Sequence, residues 1–280
     1  MKTIKIIAAL LLTCQLTANA QEKKETYAEL SIKEGGKWVG QKYEGGTFKN
    51  VTSLKVPKSH WDHSFFIRYE GPGWESNKIG YRLYLDWRNC IDLFGKVTDT
   101  MVLSKVGLDG FESYHHMSPW GMDILKAGKG LGVGAIARYS DQKMLHFEKV
   151  DSTFAKVENT EKSSSVFVKY KGWHTNSDVI DFQSTLTIEP NNRYTKHTIK
   201  ASKKLEGICT GIVKFKNIDL VNKKSTNKKW AYIATYGQQS LIPDNLGMAI
   251  FYKTSDVKEQ AEGEFDHLLI FKPSKKASFA

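Results

Sequence analysis

The sequence predicts an all-β fold, a single-domain antiparallel β-sandwich, on three observations. Apolar and polar residues alternate with period two along many short stretches, Gly, Asn and Pro turns separate those stretches at regular spacing, and no window of a dozen residues carries a helical stripe. One or two helical turns around Met122–Lys126 are the exception to that last point. The alternation is clearest where Ile180, Phe182, Leu186 and Ile188 share one face while Asp181, Gln183, Thr185 and Thr187 share the other.

Along the chain, residues 1–20 read as a secretory signal peptide. Lys2 and Lys5 flank the start of an apolar run too short to span a bilayer, and Ala18-Asn19-Ala20 supplies the small-residue cleavage pattern. The protein is therefore expected to be exported, periplasmic or secreted, with no membrane span and the sandwich over residues 21–280. Tyr27–Lys33 alternates as a first strand, and Gly35-Gly36 and Gly45-Gly46 mark turns. His63–Glu70, rich in aromatic and β-branched residues, reads as a strand that stops at the Gly71-Pro72-Gly73 turn. Ile79–Asp86 follows as the second arm of a hairpin whose connecting loop carries Trp74 and Glu75.

Further strands are expected at 135–139, 144–149, 165–170, 179–188, 194–201, 212–215, 230–236, 248–252 and 267–272. Pro190-Asn191-Asn192 is a turn, and Asn222–Lys229 a basic loop. Past the last expected strand, Lys275–Ala280 offers no obvious closing strand.

Composition narrows the function. A formal charge of +11 favours polyanions, and with lysines scattered rather than gathered into a stripe, an acidic or sulphated polysaccharide fits an exported protein better than nucleic acid. Beyond the signal segment only Cys90 and Cys209 remain, either one disulfide or two separately buried thiols. The Gly-x-Ser-x-Gly elbow, the phosphate loop and the His-Glu-x-x-His motif are all absent, and the glycine-rich Gly128–Gly134 leads into a strand rather than a helix. His60 and His63 have a spacing that would converge on a helix but diverges on an extended segment, so no metal and no cofactor are expected.

The chemistry concentrates between Tyr69 and Gly134, where turns repeatedly interrupt apolar strands beside aromatic and chargeable groups. Tyr114-His115-His116, with Glu112 before and Trp120 after, is the densest acid-base set. Adjacent residues of an extended segment face opposite ways, so one histidine at most is expected in a given cleft. Trp74 and Trp120 offer flat apolar area to the C–H faces of sugar rings, Trp87 either that or core packing. Arg82 and Arg88 are suited to a carboxylate or sulphate, or to a local acid such as Asp86 or Asp92. Glu75 completes the expected substrate-binding set.

The segments YEGPGWESNKIGYRLYLDWRN, GLDGFESYHHMSPWGMDIL and DNLGMAIFY resemble a family of exported bacterial polysaccharide-utilisation proteins that includes the ulvan oligosaccharide dehydratase. The resemblance covers most of the chain beyond the signal peptide, and a supersandwich like that of mutarotases is one form the fold would take. It implies removal of water from the non-reducing-end glucuronic or iduronic acid of an acidic oligosaccharide, giving a 4,5-unsaturated uronic acid. The C5 proton of such a sugar becomes removable once the adjacent carboxylate is neutralised, and the 4-hydroxyl leaves with a proton from a general acid. His115 is expected to transfer the proton, with Tyr114 or His116 as its rival and Arg88 on the carboxylate. A non-catalytic carbohydrate-binding sandwich and a uronate polysaccharide lyase are the competing readings.

Overall fold

The structure is a computed structural model that describes residues 25–280; the expected signal peptide lies outside the described residues. Strands β1 (Thr26–Glu29) and β2 (Ser31–Val39) take the place of the single expected first strand, and β2 turns at Gly40-Gln41 into β3 (Lys42–Asn50). The two Gly-Gly pairs are therefore not turns. Gly36 lies opposite Gly45 inside the ladder, where a Cβ on Gly36 would sit 2.3 Å from the Glu44 carbonyl oxygen. The glycines admit close backbone approach and a kink.

After β4 (Ser53–Lys55), the segment expected as the strand His63–Glu70 is irregular and ends in a 3-10 turn at Arg68–Glu70. Its contribution to a ladder is one bridge, Ile67 to Ile32. β5 (Gly73–Ser76) carries Trp74 and Glu75 on the strand itself rather than in a loop, and pairs with β6 (Ile79–Leu83). β7 (Ile91–Lys96) then pairs with β8 (Gly121–Asp123), so residues 121–123 are extended, not helical. The 3-10 turns Leu103–Lys105 and Ser113–His115 lie between them.

The remaining strands are β9 (Val133–Ser140), β10 (Lys143–Leu145), β11 (Val150–Asn159), β12 (Ser164–Thr175), β13 (Asp178–Ile188), β14 (Lys196–Ala201) and β15 (Ile208–Val213). They are followed by β16 (Val221–Lys224), β17 (Trp230–Gly237), β18 (Leu246–Lys253), β19 (Val257–Glu262), β20 (Asp266–Phe271) and β21 (Lys276–Phe279). β16 occupies part of the expected basic loop. β21 corrects the expectation of an unclosed end: it is inserted between β18 and β14.

These strands make an antiparallel sandwich. One layer is a nine-stranded sheet in the order β16-β17-β18-β21-β14-β13-β12-β11-β4. The other consists of two five-stranded sheets, β1-β5-β6-β7-β8 and β10-β9-β15-β20-β19, joined where Ile91 bridges Gly132 in parallel. Gly132 has φ 67, and a Cβ there would lie 1.8 Å from the Ile91 carbonyl oxygen, so only glycine permits the junction. The period-two pattern of β13 turns Ile180, Phe182, Leu186 and Ile188 inward, against a common core that includes Trp74, Leu93, Ala135 and Leu268 of the opposite layer. Cys90 and Cys209 are both buried and free. No helix among the described residues is long and apolar enough to cross a membrane.

Candidate functional site

The β2–β3 hairpin, the irregular segment 61–70 and the loop 107–114 enclose a cleft of about 680 Å³. Its wall includes Lys33, Phe48, Phe65, Tyr69, Glu70, Phe111 and Tyr114. Within eight residues of the segment, four non-glycine residues hold positive φ: His63 (56), Phe65 (59), Tyr69 (40) and Glu70 (71). Left-handed backbone of this kind costs on the order of 1–3 kcal/mol per residue and persists where the surroundings enforce it, which happens most often at functional sites. Here the enforcement is visible. Phe66 and Ser64 accept backbone hydrogen bonds from Lys33 and Tyr43 of the hairpin, and the buried Glu70 carboxylate accepts from the His63 backbone N–H at 3.3 Å.

Behind the cleft lie two arginine networks joined by Glu70. Arg88 Nη2 donates to Asp62 Oδ1 (2.7 Å), to Glu70 Oε1 (3.1 Å) and to Asp86. Arg82 Nη2 donates to Asp92 Oδ2 (2.7 Å) and Asp123 Oδ2 (2.5 Å), its Nη1 donates to the Tyr114 hydroxyl (3.1 Å), and the Tyr84 hydroxyl donates to Asp92 (2.5 Å). A third pair, Arg68 and Glu29, takes the Tyr69 hydroxyl as a further donor at 2.5 Å. Both expected carboxylate-binding arginines are thus engaged by acids of the protein, and Arg82 is 2% exposed, with its Nε left without a partner. Lys33 is the cation on the cleft wall, its ammonium 5.5 Å from the Phe48 ring centroid.

Two imidazoles flank the Phe111 ring, His63 at 4.7 Å and His115 at 5.0 Å between centroids. His63 is half exposed, and its Nδ1 lies 2.6 Å from Asp62 Oδ1, an ion-pair contact at the imidazole's edge. His115 is a quarter exposed, with Nε2 3.4 Å from the buried Asp123 Oδ2 and Nδ1 without a hydrogen-bond partner. Burial and then the Arg82 charge hold His115 below the ordinary imidazole value. Burial and the neighbouring Asp92 charge push Asp123 up to about 8 against the pull of Arg82. Burial favours the uncharged form of both groups, an arrangement in which the imidazole can accept a proton and the carboxyl hold one.

The other expected site residues distribute differently. Tyr114 is 2% exposed but reaches the cleft wall, and burial raises its phenol. His116 is exposed at the C-terminal end of the 3-10 turn; the segment is not extended, so the alternation expected of the two histidines does not apply. Trp120 is half-buried, edge-on to Phe94 at 5.9 Å. Trp74 is fully buried, stacked at 5.4 Å on Tyr81 with its indole N–H given to Thr195, so it serves the core and presents no face to a ligand. Glu75 is fully buried as well. It accepts from the Val102 and Leu103 backbone at 2.8 and 2.9 Å and from Lys96 Nζ at 2.6 Å, pinning the 3-10 turn at 103–105. Trp87 is half-buried on a separate cleft of about 310 Å³, with His146 edge-on at 5.4 Å.

His63 and Asp62 beside the cleft, and Glu70 and Phe111 on its wall, are the residues that sequence reasoning passed over. The signal for the first two was the Asp-His adjacency, obscured by the His-x-x-His spacing with His60. That histidine is buried and bonded to Ser64 Oγ at 2.8 Å, and takes no part in the cleft. Asp62, His63 and Glu70 bring their ligand atoms within 4.8 Å of one another. The Arg88 guanidinium already lies on two of the three, so the positive charge this acidic trio requires is supplied from within the chain.

A family model described as a domain of unknown function (DUF4861) matches residues 9–279. No curated protein and no solved structure matches the chain.

Proposed function

We propose, for a chain that belongs to this DUF4861 family, an oligosaccharide dehydratase. It would remove water from the non-reducing-end glucuronic or iduronic acid of ulvan-type oligosaccharides. The observation that carries the reading is the strained cleft whose wall residue Phe111 is flanked by two differently supported imidazoles, His63 beside Asp62 and His115 beside Asp123. The resemblance of the flanking motifs to the polysaccharide-utilisation family supports the same chemistry.

The step breaks the C5–H and C4–O bonds, forms the C4=C5 double bond and releases the 4-hydroxyl as water, with no net redox change. It needs one proton acceptor, one proton donor and a cation near the carboxylate. His63 and His115 divide the first two roles, Tyr114 forms part of the wall with its hydroxyl held by Arg82, and Lys33 stands for the carboxylate contact that the sequence had assigned to Arg88. Aromatic faces of Phe48, Phe65 and Phe111 shape the remaining wall.

The test is incubation with uronate-terminated oligosaccharides followed by mass spectrometry and ultraviolet absorbance. A dehydratase removes one water without shortening the chain and creates a conjugated chromophore. A lyase shortens the chain, and a binding module changes neither signal. Turnover is expected to persist in excess EDTA, because Arg88 Nη2 lies 2.7 Å from the Asp62 oxygen a cation would need. Loss of turnover restored by one divalent metal would overturn that point.

A further inference from the structure

Away from the cleft, the outer face of the nine-stranded sheet carries an unusual surface at its β16–β18 end. Period two turns Trp230, Tyr232 and Tyr236 of β17 outward, and the register sets Trp230 opposite Lys253 and Tyr232 between Phe251 and Lys223. Trp230, Phe251 and Tyr236 are 46%, 47% and 69% exposed. Lys253 Nζ lies 5.7 Å from the Trp230 ring centroid, and the Tyr232 and Phe251 rings are 5.4 Å apart. Large rings left in water on adjacent strands, rather than singly, mark a binding surface.

Charge says what binds there. The five neighbouring strands β16, β17, β18, β21 and β14 contain six lysines and no aspartate or glutamate. Lys200 and Lys276 stand opposite each other and continue the basic face beyond the rings. All of these cations are lysines, point charges suited to spaced single anions, and no arginine contributes the planar fork that clasps phosphate in two bonds. A ring face suits the C–H side of a pyranose, and an ammonium beside it suits a sulphate or carboxylate on that sugar.

We infer that this face is a second carbohydrate site, separate from the cleft, that docks a polyanionic polysaccharide chain bearing sulphate or carboxylate groups. No residue on the wall of the 680 Å³ cleft belongs to β16, β17 or β18. The inference rests on the surface alone and does not require the cleft to be a dehydratase.

Binding is measured by fluorescence titration with dextran sulphate, with neutral dextran and a single-stranded oligothymidylate as comparisons. The parent protein should bind dextran sulphate, more weakly as salt rises because bound counterions compete, and leave neutral dextran unbound. The double variant W230A/Y232A should lose affinity by about tenfold, the factor equivalent to about 1.4 kcal/mol. The variant K223Q/K253Q should bind more weakly and with a flatter salt dependence. Neither should change turnover of short oligosaccharides, whereas His63→Ala should slow turnover by at least about 10² and leave dextran sulphate binding intact, so the two sites fail or stand independently. If W230A/Y232A lowers the melting temperature, K223Q/K253Q alone decides. Failure of the parent to bind, or unchanged affinity in the lysine variant, overturns the inference. Tighter, Trp230-dependent binding of the oligothymidylate overturns it in favour of nucleic acid.

Discussion

At the residue scale, the two histidines beside Phe111 differ in what holds them, and so do the expected effects of removing them. General acid-base catalysis contributes about 10²–10⁴-fold. His63→Ala, at a half-exposed side chain, should therefore slow turnover by at least about 10² without moving the melting temperature. His115→Ala should slow turnover comparably; a variant within about threefold of the parent would remove it from the reaction. Arg88→Ala should instead unfold the protein more readily, by about 3–5 kcal/mol, because it leaves Asp86, Asp62 and Glu70 clustered without their cation. Asp123 sets a pH dependence whose sign is fixed. Its folded value of about 8 lies above the ordinary 3.8, so the folded state holds a proton that the unfolded state has released, and stability falls as pH rises through that window. Between pH 6.5 and 8 the melting temperature should decline, and Asp123→Asn should remove the decline; an unchanged slope would place the proton elsewhere. The arginines and Tyr114 were legible as chemistry because charged and aromatic types crowd one stretch of sequence. Whether a guanidinium meets a substrate or a neighbouring acid depends on distant partners such as Asp62 and Glu70, which local pattern does not reveal. Trp74 and Glu75 misled for the same reason: both are fully buried by residues far along the chain, Thr195 and Val102 among them.

At the element scale, β13 was readable because one face of it is buried and the other wet, whereas the segment 61–70 was not. Its Phe65, Phe66, Ile67 and Tyr69 have the composition of a strand, but positive φ at His63, Phe65, Tyr69 and Glu70 breaks the alternation on which that reading relies. β7 escaped notice because residues 91–94 are buried on both faces, Asp92 among them, so no solvent-facing polar alternation signals a strand. β21 escaped because its four residues are few, and its inward side chains are Ala277 and Phe279. Phe279, 4% exposed and packed on Phe271 and His197, makes the insertion energetically specific. Phe279→Ala should cost about 3–5 kcal/mol in denaturant unfolding, and a loss below about 1 kcal/mol would mean that β21 is a peripheral strand. Glu75→Ala should cost a similar amount by stranding the Lys96 ammonium, whose side chain is fully buried, and two backbone N–H groups.

At the scale of the whole molecule, one apolar cluster runs through both layers, joining Trp74 and Leu93 of one five-stranded sheet to Ile250 and Phe279 of the nine-stranded sheet. Thermal unfolding is accordingly expected as one transition, lowered as a unit by Glu75→Ala in one layer and by Phe279→Ala in the other. Two separable transitions, each sensitive to one variant, would show two cooperative units. The seat of β21 has a further consequence for how the chain reaches this state. Thr198 on β14 and Ser278 on β21 meet across a sequence separation of 80 residues, and the strand fits between two others that have no other link at that point. Until it arrives, the edges of β14 and β18 face an open slot whose amide and carbonyl groups are unpaired. A chain that had yet to place β21 would be a template for a strand from a second copy, and a short peptide copying residues 276–280 is expected to slow refolding by competing for that place.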